Sequence, residues 1–287
     1  MILINRTNSL YLSKCKFPYW IILLCSGILI LSSCSLEKNI AKEFLKKQQK
    51  GTIVLVEPEF IYKINLRDTA DKDLQNFTKE EKDSLLLEKS IFLKYVDNQI
   101  FIDKYYITLK EELVKRGFYI IDKKDSLDRF TFPVWKLNPA QLQLEEDIEP
   151  FTDYYYFDTS LYVQNFALNK VTLHTWLEFS RINSNDTAVD VLYSAQSVKD
   201  KISGVFKRHI IDGSVTYNYS ANLVTISHVY DLSEYAAKRH AAYLFDYIMN
   251  NYISENMPHS FKQEKYFQYN NEKKRLINFK EGFIIMK

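Results

Sequence analysis

Five histidines, at positions 174, 209, 228, 240 and 259, are the first residues to weigh for chemistry. No two of them take the HExxH spacing that puts a pair of imidazoles and a glutamate on one helical face. His174 lies in KVTLHTWLEFSRI, two residues before Trp176 and four before Glu178. In an extended strand those three side chains share a face. His228 lies in the β-prone run LVTISHVY. Two strand histidines with Glu178 have the donor types of a metal centre, and a half-exposed sheet face accounts for the same residues. The acidic run Glu145, Glu146, Asp147 and Glu149 offers oxygens to calcium. A calcium loop also needs a tight glycine turn, none is present, and a solvated strand end is the simpler reading. Ser203-Gly204 lies in KISGVF, without the leading glycine of a G-x-S-x-G nucleophile elbow. These residues lead us to assign no catalytic residue and no metal ligand, and to expect no cofactor.

The aromatic residues are more suggestive. Tyr154, Tyr155, Tyr156 and Phe157 are consecutive, Tyr217 and Tyr219 alternate, and Trp135 and Trp176 stand elsewhere. Exposed rings stack on sugars and anchor protein interfaces, while sheets favour aromatics for packing alone. Tyr154, Tyr155, Tyr156 and Trp176 are the candidate ligand-binding residues.

Composition narrows the classes. Glycine is scarce and isolated, with Gly51, Gly117, Gly204, Gly213 and Gly282 beyond the first fifty residues. No Gly-rich phosphate loop can be assembled from them. The three cysteines are Cys15, Cys25 and Cys34, so beyond residue 34 thiol catalysis, zinc ribbons and iron–sulfur clusters are excluded.

The first residues have their own logic. Arg6, Lys14 and Lys16 are the only charges before WIILLCSGILIL, an apolar run over residues 20–31. That run is short of the roughly 20 residues that span a bilayer, and a basic start, short apolar core and small residues describe a secretory signal peptide. Its end, Leu31-Ser32-Ser33-Cys34, resembles the lipobox of bacterial lipoproteins. The resemblance implies that Cys34 is acylated and becomes the first mature residue. Ser35, rather than Asp, follows it, which by the same resemblance permits transport to the outer membrane. Removing residues 1–33 leaves 254 residues with 35 basic and 36 acidic side chains, a formal net charge of −1. A near-neutral body has no basic footprint for nucleic acid.

The elements that position these residues follow from periodicity. GTIVLVEP holds a β-branched run bounded by Gly51 and Pro58, which predicts a strand buried on both faces. Thr78 with Glu81 fits a capping box, placing a helix start near residue 79. Ile102, Tyr105, Tyr106, Leu109 and Leu113 recur at helical spacing, with Gly117 placed to end the helix. Residues 118–122, FYIID, read as a strand and complete a β-α-β start. AQLQLEEDI reads as a half-exposed strand, whereas residues 153–166 fit strand or helix. Val171, Leu173, Thr175, Leu177 and Phe179 share one strand face, NSND at 183–186 is a turn, and Val189, Val191 and Tyr193 share a face of the returning strand. Residues 214–230 hold more β-prone sequence. Asp231 with Glu234 repeats the capping pattern, and Ala237, Ala241, Leu244, Ile248 and Tyr252 predict an amphipathic helix over 232–254.

The expected fold is therefore α/β, with α+β as the alternative. It has a mixed sheet, a β-α-β start, an antiparallel hairpin and a C-terminal amphipathic helix. The expected divisions are a signal peptide over 1–33, a lipidated polar tether over 34–51, one domain over 52–257 and an extension over 258–287. With the lipobox, this order loosely resembles the TolB N-terminal and curli-secretion type of envelope lipoprotein domain. The expected function is binding another envelope component, in assembly or scaffolding, by a protein held to the membrane through lipid on Cys34. A glycan-binding surface lipoprotein is the alternative, and an envelope hydrolase with dispersed carboxylates comes third.

Overall fold

The computed structural model describes residues 36–67, 77–121, 134–157, 159–182, 189–258, 260 and 263–279. Leu31 to Cys34, the turn at 183–186 and the apolar end FIIM at 283–286 lie outside the described residues. The fold is α/β: a mixed parallel and antiparallel sheet, an antiparallel hairpin and a C-terminal helix.

The chain divides into two units. The larger, over residues 46–249, carries the main sheet. Strand β1 (Gly51–Leu55) is buried at every position and lies between β3 (Phe118–Ile121) and β4 (Val134–Phe157), parallel to both. A strand enclosed on both faces is apolar throughout rather than alternating. Tyr62–Asn65 forms a separate strand, β2, parallel to β4. Strand β4 pairs antiparallel along its whole length with β5 (Ser160–Ile182), and β5 pairs with β6 (Val189–Lys199). The order across the sheet is β3-β1-β4-β5-β6, with β2 beside β4.

The first two predicted helices form for the predicted reasons. Helix α2 (Lys79–Glu88) opens on the Thr78–Glu81 capping box, the Thr78 hydroxyl accepting from the Glu81 amide and the Glu81 carboxylate from the Thr78 amide. Helix α3 (Asn98–Lys115) buries Phe101, Ile102, Tyr105, Leu109 and Leu113, a stripe at 3.6-residue spacing. It is capped by Asp97, which accepts from the Ile100 amide. Gly117 ends it at φ 92°, a conformation glycine adopts freely. Together β1, α3 and β3 form the expected β-α-β unit with parallel, adjacent strands.

Helix α4 (Ile226–Asn256) begins earlier than its sequence pattern predicts. The run LVTISHVY is β-prone, and strand β8 stops at Asn222 before it. Val229 and Leu232, three residues apart, are both buried, so core packing at helical spacing overrides local propensity. Asp231 and Glu234 therefore lie inside the helix and not at its cap. Lys104 of α3 instead donates to Glu234 at 2.6 Å.

Helices α3 and α4 cover one face of the sheet. Tyr247 packs edge-on against Phe179 at 5.7 Å, and Phe245 against Phe118 at 6.2 Å. Phe179, Leu177, Thr175, Leu173 and Val171 all point into this layer and are buried. Val189, Val191 and Tyr193 do share a face, but it is the opposite one. The register pairs Leu177 with Leu192, so Leu192 is the residue of β6 that enters the core.

In the range 153–166, ambiguous in the sequence, the chain is strand up to Phe157 and again from Ser160, the two antiparallel. Beyond Lys170 the β4–β5 pair continues past β6 as a two-stranded arm. A second hairpin, β7 (Lys201–Arg208) with β8 (Val215–Asn222), packs on one face of that arm. Its contacts are Tyr155 with Phe206 at 5.9 Å, Phe166 with Tyr219 at 5.1 Å, and a 2.8 Å hydrogen bond from Tyr217 to Asp153.

The smaller unit comprises residues 36–45 with 250–279. The first of these stretches belongs to helix α1, over residues 36–46, in the segment expected as a polar tether. Glu37, Ile40, Ala41 and Phe44 of this helix are buried. Glu37 accepts from the Glu264 amide at 2.8 Å, and Phe44 meets Tyr252 at 5.4 Å. Strands β9 (Tyr266–Asn270) and β10 (Arg275–Phe279) form a hairpin in the expected C-terminal extension. The Asn250 side chain bonds both the amide and the carbonyl of Phe267, at 2.9 and 2.8 Å.

Candidate recognition surface

The face of the main sheet opposite the helices gathers the larger unit's most chemically varied side chains. Alternation puts Gln141, Gln143 and Glu145 of β4, His174 and Trp176 of β5, and Tyr193 of β6 on it. A β-bulge between Pro139 and Gln141 resets β4, so that Gln141 stands opposite Trp176 and Gln143 opposite His174. A continuous hydrogen-bonded chain results. Gln141 donates to Gln143 at 2.8 Å, and Gln143 to Glu145 at 2.5 Å. The other Glu145 oxygen bonds His174 Nε2 at 3.1 Å, and His174 Nδ1 bonds the Tyr193 hydroxyl at 2.5 Å.

Trp176 flanks this chain. Its ring lies 6.2 Å from His174 and 5.1 Å from Tyr193. Tyr62 of β2, paired with Gln143, extends the surface on the other side with Phe60 against it at 4.8 Å. Phe60, Tyr62 and Tyr193 are exposed, while Gln141, Gln143, Glu145, His174 and Trp176 are half-buried. The arrangement presents fixed amide and carboxylate groups beside aromatic planes. It can bind a polar partner, and it holds His174 between a carboxylate and a phenol.

Of the four candidate ligand-binding residues, only Trp176 belongs to this surface. Tyr154 and Tyr156 lie on one face of the arm, 65% and 71% exposed. Tyr155 points to the other face, against Phe206, Tyr162 and Phe157. The run of tyrosines thus divides by strand alternation into an exposed pair and a packing residue.

His174, His228 and Glu178, weighed as a metal set against an ordinary sheet face, do not come together. His174 faces Glu145, Glu178 accepts from Asn138 at 2.8 Å, and His228 bonds Thr225 at the start of α4. Among the described residues no group of three or more His, Cys, Asp or Glu side chains is placed to hold a metal ion. The acidic run is likewise not a solvated strand end. Glu146 is wholly buried and accepts from the amides of Ile91, Phe92 and Leu93 at 2.8, 2.9 and 3.2 Å. Glu149 meets Lys199 and Lys170, which hold its carboxyl below the usual range.

One polar chain escaped the sequence reading. Tyr105, His240 and Ser194 are linked on the helix-covered side, Tyr105 to Nδ1 at 2.9 Å and Ser194 to Nε2. Burial lowers His240 to a pKa of about 3 and raises Tyr105, so both stay neutral. His240 sits on the same helical stripe as Ala237, Ala241 and Leu244, which was the available signal.

A scan against protein-family models finds no match for the chain, and a search of curated proteins finds none either. Among the described residues no helix is long and apolar enough to cross a membrane.

Proposed function

We propose that this is a bacterial envelope lipoprotein, anchored through Cys34 and sorted to the outer membrane, that acts by binding another envelope component in assembly or scaffolding. The observation that carries the binding role is the connected chain from Gln141 to Tyr193 with Trp176 alongside it. Interfaces draw much of their affinity from Trp and Tyr supported by fixed polar neighbours. The leader pattern ending in Leu31-Ser32-Ser33-Cys34 supports the anchor. The test is a mild-detergent pull-down of the full chain and of the Trp176→Ala/Tyr193→Ala double variant, with mass spectrometry of bait and companions. We expect bait peptides that begin at an acylated Cys34, and a stoichiometric envelope protein lost from the double variant. A folded bait that retains no companion overturns the scaffold reading.

A glycan ligand is the second reading. It is favoured by aromatic planes beside amide and carboxylate groups, which match the apolar faces and hydroxyl edges of a sugar. Saturable binding of envelope polysaccharide, abolished by Trp176→Ala in a folded protein, would select it over the first.

A further inference from the structure

The paired hairpins end in a surface that the binding reading does not use. The turn of the second hairpin, VFKRHIIDGSV over residues 205–215, holds two consecutive isoleucines directly after Lys207, Arg208 and His209. Ile210 is 97% exposed and Ile211 101%. Their exposure is built in. The His209 amide bonds the Ser214 carbonyl at 2.8 Å, and the Gly213 amide bonds the His209 carbonyl at 3.0 Å. Gly213, at φ 72°, closes the loop, leaving both isoleucines at its apex. Asp212, the acid in this loop, is exposed and accepts from the Ser214 amide and hydroxyl at 3.0 and 2.8 Å.

The two hairpins end together. Arg208, at the end of β7, stacks 4.0 Å over Phe157, at the end of β4's arm. The exposed residues Tyr154, Tyr156, Leu161 and Val163 therefore lie near the same end. They form cross-strand pairs, Tyr154 with Val163 and Tyr156 with Leu161. Aliphatic side chains thus stand at the apex, with basic residues and exposed tyrosines at the hairpin ends next to them. These are the residue types that meet the acyl boundary, the interfacial aromatic belt and the anionic headgroups of a bilayer.

We propose that the joint end of the β4–β5 arm and the β7–β8 hairpin is a membrane-contact element. In this element Ile210 and Ile211 enter the bilayer interface, and Lys207 and Arg208 meet anionic headgroups. The partner is a lipid surface, and the element does not depend on how Cys34 is processed or on what the open sheet face binds.

The experiment places a photocrosslinker, p-benzoylphenylalanine, in place of Ile211 in the full chain. A control carries it in place of Ser197, which is exposed on β6. Each protein is reconstituted with vesicles of phosphatidylethanolamine and phosphatidylglycerol, recovered by flotation, irradiated and analysed by mass spectrometry. We expect a phospholipid adduct at position 211 and none at 197. Lys207→Gln should lower the adduct yield about fivefold, since each basic residue at an anionic surface contributes about 1 kcal/mol. Floated protein without a lipid adduct at 211, an adduct to a second protein chain there, or failure to float overturns the proposal.

Discussion

The hydroxyl of Tyr105 on α3 and Nδ1 of His240 on α4 lie 2.9 Å apart, and both side chains are buried. With Ser194 on the far nitrogen, the imidazole is hydrogen-bonded on both sides and kept neutral at a pKa near 3, against an ordinary 6.5. Above pH 6.5 folded and unfolded chains both hold it uncharged. Between pH 6.5 and 3 the unfolded chain takes up a proton that the folded chain refuses. Stability should therefore fall as pH drops through that window, by about 1.4 kcal/mol per pH unit from this residue, and level off below it. Urea unfolding across pH on the wild type and on His240→Gln checks this. The variant should show a shallower acid limb, and an unchanged limb would refute it.

Glu146 holds the loop before α3 by accepting from three successive backbone amides, with Arg67 Nε at 3.8 Å. Glu146→Ala would leave those donors without their acceptor and should destabilise the larger unit by about 3 kcal/mol or more. Glu146→Gln keeps the shape and loses the charge, and should fall between. Chemical denaturation midpoints of the three proteins give the order.

Gly204 faces Tyr217 across the β7–β8 pair. A Cβ built at Gly204 would come within 2.2 Å of the Tyr217 hydroxyl and 2.3 Å of the ring carbon bearing it. Gly204→Ala must therefore push Tyr217 out of its bond to Asp153. We expect about 1–3 kcal/mol of destabilisation, the usual range for overpacking. Hydrogen exchange should rise in both hairpins while the α3 amides stay protected. Wild-type exchange in the hairpins would contradict the packing.

On the lipoprotein proposal, Cys34→Ser removes the acylation and cleavage site. The variant should accumulate as an unprocessed or mislocalised precursor, visible as a mass increase over the mature chain. Normal membrane-anchored maturation of Cys34→Ser would rule the lipobox out.

What the sequence by itself determined was local in origin. The Thr78–Glu81 box and the α3 stripe each depend on residues within a few positions of one another, as does the glycine end at Gly117. The same holds for the face shared by Val171, Leu173, Thr175, Leu177 and Phe179, because strand alternation has a fixed period. Only the tertiary structure decided which face met the helices, and with it that Tyr193 joined Trp176 on the outer surface while Leu192 went inside. It also decided that the ISHVY part of LVTISHVY became helix, since burial of Val229 and Leu232 outweighed a modest β preference. The pairing of Glu145 with His174 spans 29 positions and rests on a bulge at Pro139/Gln141 that no short pattern announced. The tyrosine run shows the division most plainly. Its composition pointed to a surface, but three adjacent strand residues cannot share a face, and only the packing of the second hairpin chose Tyr155 for the inside.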